Sequence, residues 1–181
     1  KHGDVYNDNG ESELVHPTIK PETVLSDKKT NANVLNIFAD RHKKKEHVLA
    51  ALNHPNADAE TTTLAVQHED PEVAMAAIKH PKADRHTAAY AALSKHENVA
   101  LAGINHSQAD HRAAYFASWS EHENVAMAGL NHPTADKDIV NEVAGNRHAP
   151  KAAIAAVNHP LADRKTLNNA IKTNHEDVMI A

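Results

Sequence analysis

Histidine and aspartate recur in this chain at a spacing that invites metal or acid–base chemistry. His54, His80, His106, His132 and His159 are separated by 26, 26, 26 and 27 residues, and Asp58, Asp84, Asp110, Asp136 and Asp163 each follow four residues behind. A second series, His96, His122, His148 and His175, shares the period, with Asp70 at the matching place in the earliest unit. Imidazole and carboxylate are common components of zinc sites and of proton-transfer pairs. Spacing argues against both uses. Helices in contact lie ~8–10 Å apart, whereas zinc needs its nitrogen ligands within ~2.0–2.1 Å, so equivalent histidines of successive units do not share one ion. The two series stand ten residues apart, or ~15 Å along a helix, and so occupy opposite edges. The segments "HENVA" at 96–100 and 122–126 begin like the zinc-protease pattern His-Glu-x-x-His, but Ala100 and Ala126 stand where the second histidine belongs.

A catalytic carboxylate has no reason to occur once per unit. Asp58, Asp84, Asp110, Asp136 and Asp163 are read instead as helix N-caps, each accepting from the unpaired N–H groups of a first turn at ~0.5–2 kcal/mol per cap. His54, His80, His106, His132 and His159 are read as structural, hydrogen-bonding a helix end or an adjoining loop and packing against the next unit. A functional alternative is that many imidazoles near pKa ~6.5 gain charge as pH falls towards 5 and alter the contacts of the chain. No Gly-rich phosphate loop or Gly-x-Ser-x-Gly elbow is present, and the absence of cysteine excludes thiolate sites and disulfides. No catalytic, cofactor-binding or metal residue is assigned, and the expectation is a nonenzymatic chain without cofactor.

The elements that carry these residues follow from "LNHPNAD" (52–58), "IKHPKAD" (78–84), "INHSQAD" (104–110), "LNHPTAD" (130–136) and "VNHPLAD" (157–163). A fixed period of this length marks stacked structural units. Each unit reads as two short helices. The first covers 72–80, 98–106, 124–132 or 151–159, with apolar residues at offsets of three and four, and the prolines at 55, 81, 133 and 160 are expected to end it. The second starts at the recurrent aspartate. Two adjacent small residues mark every first helix: Ala50–Ala51, Ala76–Ala77, Ala102–Gly103, Ala128–Gly129 and Ala155–Ala156. They let a neighbouring helix approach closely, so Ala128→Leu is expected to overpack the stack by roughly 1–3 kcal/mol.

The fold class expected is all-α, a right-handed α-solenoid of about five two-helix repeats of 26 residues with an irregular N-terminal cap. Residues 1–45 form the N-terminal extension and a degenerate capping repeat, with His16–Pro17, a helix beginning near Asn31 and a basic cluster of Arg41, Lys43, Lys44 and Lys45. Residues 46–181 form the repeat domain. Its last segment, "HEDVMIA" (175–181), matches "HENVAMA" (122–128) and opens a sixth unit, and the chain starts with lysine, so a segment of a longer polypeptide is expected.

The unit "HENVAMAGLNHPTAD" resembles the leucine-rich-variant and HEAT-like α-helical repeats, and is closer still to the HPNA-type repeats of large tailed-bacteriophage proteins. The resemblance spans about residues 46–181. It implies a surface that binds other proteins and a place in a virion-associated structural or accessory protein. A cellular HEAT-like adaptor and a noncatalytic segment of a larger enzyme are the alternatives. Leucine-rich-variant proteins can carry an iron–sulfur cluster on cysteines, which this chain lacks. The localisation implied is the virion or host cytoplasm for a phage protein, and the cytoplasm otherwise.

Composition fits a globular chain, with 41% hydrophobic and 24% charged residues but only 3% aromatic. The core must therefore be built from small side chains. Residues 46–181 carry 11 Lys or Arg against 17 Asp or Glu, an acidic balance that disfavours a specific nucleic-acid surface. No apolar run approaches the ~18 residues needed to span a bilayer, so no membrane insertion is expected. Four of the six aromatics, Tyr90, Tyr115, Phe116 and Trp119, fall in the second helices of two consecutive units. They either fill a wider gap in the core or form a contact patch for other protein chains, copies of this one included.

Overall fold

The computed structural model describes the backbone of Val5–Tyr6 and Ser12–Glu13 and, in full, residues 20–173. The expectations for His16–Pro17, His175 and the sixth unit lie outside the described residues. Val5–Tyr6 (β1) and Ser12–Glu13 (β2) pair antiparallel. Everything regular after them is helical: α1 (Pro21–Ser26), α2 (Ala32–Phe38), α3 (Lys45–Leu52), α4 (Ala59–Ala65), α5 (Pro71–Ile78), α6 (Arg85–Ala92), α7 (Glu97–Ile104), α8 (His111–Ala117), α9 (Glu123–Leu130), α10 (Lys137–Ala144), α11 (Pro150–Val157) and α12 (Arg164–Lys172). The all-α class therefore holds across residues 20–173. Helices of six to nine residues are too short to persist alone in water, so their stability comes from packing.

From α2 onward each helix touches its next sequence neighbour, and from α1 onward each touches the helix two places further on. α1, α3, α5, α7, α9 and α11 form one row of contacts, and α2, α4, α6, α8, α10 and α12 form the other. The core lies between the rows. Val73, Val99 and Val125 are fully buried, Leu52, Ile78, Ile104 and Leu130 nearly so, and most of the remaining core is alanine. The N-terminal extension contributes two helices, α1 and α2, and the side chain of Asn31 caps α2 by accepting from the Val34 N–H.

Two turn devices build each unit. In the first, the carboxylates of Asp58, Asp84, Asp110, Asp136 and Asp163 each accept from the first-turn N–H groups of α4, α6, α8, α10 and α12. Thr61, Thr87 and Thr166 return a contact from their hydroxyls to the cap residue's own N–H, closing a capping box. In the second, Nδ1 of His54, His80, His106, His132 and His159 accepts the backbone N–H two residues on, from Asn56, Lys82, Gln108, Thr134 and Leu161, at 3.1, 3.1, 3.2, 3.3 and 3.2 Å. The histidine carbonyl accepts from the alanine three residues on, at 2.8–3.0 Å in each case. The histidine is thus the hinge-pin of the turn between the two helices.

This geometry corrects the role expected of proline. The first helices end at Ile78, Ile104, Leu130 and Val157, two residues before the histidine and three before the proline. The turn carrying Ser107 in place of proline has the same hydrogen bonds as the rest. Termination is the work of the histidine turn, and proline only fits the conformation that results.

The small pairs also divide their labour. Ala51, Ala77, Gly103, Gly129 and Ala156 are buried, whereas Ala50, Ala76, Ala102, Ala128 and Ala155 are half-buried. Close approach is made by the second member. A Cβ at Gly103 would sit 2.4 Å from Ala92 N, 2.6 Å from Ala91 Cβ and 2.7 Å from Ala88 O, all on α6. At Gly129 a Cβ would lie 2.9 Å from Ala114 O, while its neighbour Ala128 packs, half-buried, against the core.

Candidate docking surface

Tyr90 on α6, Tyr115 and Phe116 on α8 and Trp119 just beyond α8 come together on the outer side of the second row. Their register explains why. Leu64, Tyr90 and Phe116 each stand six residues after an aspartate cap, while Leu93 and Trp119 stand nine after one, which puts both sets on one helical face. Tyr90, Tyr115 and Phe116 are half-buried at the margin of the core, and Trp119 is 46% and Leu93 50% exposed. Tyr90, Tyr115 and Phe116 pack against the aliphatic core from its margin, and Trp119 stands outside it.

The aromatic groups hold one another. The rings of Tyr115 and Trp119 meet edge-on with centroids 4.7 Å apart, and Phe116 lies 5.9 Å from Trp119. The Arg112 guanidinium sits 5.3 Å from the Tyr90 ring centre and 5.2 Å from that of Phe116, so it bridges two consecutive second helices by cation–π contact. The Trp119 indole N–H donates to Glu142 Oε2 at 3.1 Å on α10. His111 stacks on Tyr115 and its Nε2 lies 2.9 Å from Asp136 Oδ2. The Ile139 N–H and then His111 hold the Asp136 carboxyl below the usual carboxylate range. Successive second helices are thereby tied across the surface by charge and aromatic contacts.

Two grooves open between these helices. One, of about 270 Å³, is lined by Leu93, Lys95, Phe116, Trp119, Glu121 and His122 among others. The next, of about 340 Å³, shares Leu93 and Lys95 and adds Arg41, Glu69 and Tyr90. Both are shallow, mixed in charge and walled by backbone turns, which suits an extended side-chain array more than a small molecule.

Of the other residues singled out by their spacing, His122 and His96 border the two grooves, and the rest lie elsewhere. The aspartate caps and the histidine turns run along the edge where first helices pass to second ones. His96 and His122 line the opposite edge, where Nε2 of each donates to the carbonyl of Glu69 or Lys95 at 2.9 Å. There Ser94 and Ser120 hydroxyls accept the N–H of His96 and His122. Among the described residues no three His, Asp or Glu side chains converge as a metal site. Of the basic cluster, Lys45 pairs with Asp70 at 2.9 Å and with Glu72, so it braces α3 to the next unit, while Arg41 reaches the second groove. Sequence reasoning missed Leu93, Arg112 and Glu142 as parts of the surface, and the shared register of Leu93 with Trp119 is the signal that finds the first. No helix among the described residues is long and apolar enough to cross a membrane.

No protein-family model matches the chain, and neither a curated protein nor a solved structure shows significant similarity to it.

Proposed function

We propose that the chain is a nonenzymatic protein-interaction scaffold: a right-handed α-solenoid whose two-helix repeats present the Tyr90–Tyr115–Phe116–Trp119 face to another protein chain. The observation that carries this reading is the placement of Trp119 and Leu93, each about half exposed, beside a groove between consecutive second helices. Tryptophan with neighbouring tyrosine and arginine is the composition typical of the energetic centre of a protein interface. The row-wise contacts of the helices support the solenoid, and the histidine and aspartate turns serve its joints rather than a reaction. The resemblance of the repeated segment to phage HPNA-type repeats supports reading the scaffold as part of a virion-associated structural or accessory protein.

A photo-crosslinking residue at Leu93, introduced into the chain in its native source and read by mass spectrometry, tests the proposal. The expected result is a stoichiometric adduct with an abundant assembly protein that is lost with Trp119→Ala and retained with Leu167→Ala, a change to an exposed residue on α12. Labelling of a soluble cellular protein assigns the chain to the adaptor alternative. No adduct, or one indifferent to Trp119, overturns the assignment of this face.

A further inference from the structure

The five histidine turns share a chemical requirement. A backbone N–H is always a donor, so an imidazole Nδ1 that faces one at 3.1–3.3 Å must be an acceptor, and the ring must be neutral with its proton on Nε2. His54 satisfies this visibly, since its Nε2 donates to the Asp27 carbonyl at 3.0 Å. Protonation at Nδ1 would set an N–H against an N–H and abolish the bond that shapes the turn. On the opposite edge the same arrangement occurs at His68, whose Nδ1 faces the Asp70 N–H at 3.0 Å, whereas the N–H groups of His96, His122 and His148 go to Ser94, Ser120 and Asn146 oxygens, which take up no proton.

We propose that the turns of His80 and His132 are acid-labile joints, in which uptake of one proton per imidazole below neutral pH releases the backbone bond and unfastens a first helix from its second. The groups around these rings set the sense of the effect. His80 is half-buried against the preceding unit, where it meets the Leu52 carbonyl of α3, and Lys82 of its own turn faces it with like charge. His132 is half-buried against α8 and its cap, facing the Asp110 carboxylate, which favours the charged ring, and the His111 imidazole, which opposes it; its Nδ1 also lies 2.8 Å from the Thr134 hydroxyl, which donates to the neutral acceptor and would have to turn away from a protonated one. Burial dominates in both and holds each imidazole below its ordinary range, so the neutral acceptor is the resting form. The aspartate caps do not share the transition. Burial pushes the Asp84 carboxyl up, but the N–H groups of Thr87 and His86 and the Thr87 hydroxyl outweigh it, and Asp84 and Asp136 both stay below the usual carboxylate range. They remain charged at pH 5. An acid-loosened joint would let the outer surface change its curvature without losing its helices.

The experiment compares the full chain with a His80→Asn/His132→Asn variant. Asparagine Oδ1 accepts the N–H two residues on in the same way but takes up no proton. The wild type is expected to lose Tm between pH 7.5 and 5.0, and the variant is expected to lose measurably less. Equal losses overturn the proposal. Imidazole 15N spectra of the wild type give a second measurement independent of the variant's folding. His80 and His132 protonated on Nε2 at pH 7.5 and titrating below the free imidazole support the acid-labile joint. An Nδ1-protonated ring, or titration at or above pH ~6.5, refutes it.

Discussion

Three glycines in the chain grade the closeness of helix approach, and replacing each by alanine should rank their effects. At Gly103 the added methyl would meet backbone nitrogen and oxygen of α6 at 2.4 and 2.7 Å, contacts that no rotamer change relieves. α7 would have to move off α6 by about 1 Å to restore normal separation, costing near the upper part of the ~1–3 kcal/mol range for overpacking. Alanine gains about 1 kcal/mol over glycine in a helix, so the net loss is ~1–2 kcal/mol. In a chain of 181 residues that corresponds to roughly 2–8 °C in Tm. At Gly129 the nearest atoms are 2.9 Å and 3.0 Å away, the second being the Ala117 Cβ, and the two terms come within about 1 kcal/mol of cancelling. At Gly145 every neighbour is 3.5 Å or more away and φ is −86°, so alanine should stabilise by ~0.4–1 kcal/mol by restricting the unfolded chain. Urea unfolding followed by circular dichroism, with the slope checked for constancy, measures all three. A Gly103→Ala protein as stable as wild type, or Gly145→Ala as the worst of the set, would refute the close-packing account.

Two further outcomes follow from the polar groups. Thr166→Val removes the buried donor to Asn141 Oδ1, a bond of 2.7 Å, and the stranded amide oxygen should cost about 1–3 kcal/mol in urea unfolding; a loss under about 0.5 kcal/mol would mean the pair does not hold α12 to α10. The Asp136 carboxyl is depressed by the Ile139 N–H and by His111, so it binds protons less readily folded than unfolded. Its contribution is complete above the unfolded value of ~3.9 and is lost as pH falls through the lower folded value. Asp136→Asn should therefore flatten part of the acid limb below pH ~4, and an unchanged limb would remove Asp136 from that role.

Some features were open to reading from the letters and others were not. The aspartate caps were legible because a cap is a local event, decided by one side chain and the three residues after it. The histidines were legible as helix-end groups, yet the accepting atom was not, since Nδ1 and Nε2 serve different edges in His80 and His96. Proline biases the residue before it out of the helical region and lacks an N–H, which makes it a stop signal in the sequence, and the turn around His106, with Ser107, separates its presence from its necessity. The small pair was visible, but which member touches α6 or α8 depends on helix phase to within one residue. The aromatic surface needed the stack itself, because exposure of Trp119 is set by what α8 packs against. The buried pairs Thr61–Asn36 and Thr166–Asn141 escaped notice altogether, although the threonine three residues after a cap, in Thr61, Thr87 and Thr166, was a sign of them.

The tertiary hydrogen bonds have a narrow reach in sequence. His54 to Asp27, Thr61 to Asn36, His96 to Glu69 and Asn146 to Ser118 span 27, 25, 27 and 28 residues, and the helix contacts extend no further than the next pair. Nothing ties one end of the described chain to the other. Such a molecule should yield to mechanical tension piece by piece, releasing contour in increments of about 90 Å, the extended length of one period. It should also accept the duplication or deletion of a whole period, because both new junctions reproduce the old ones. Length, in the solenoid proposed above, is a quantity that a gene can change without redesigning anything else.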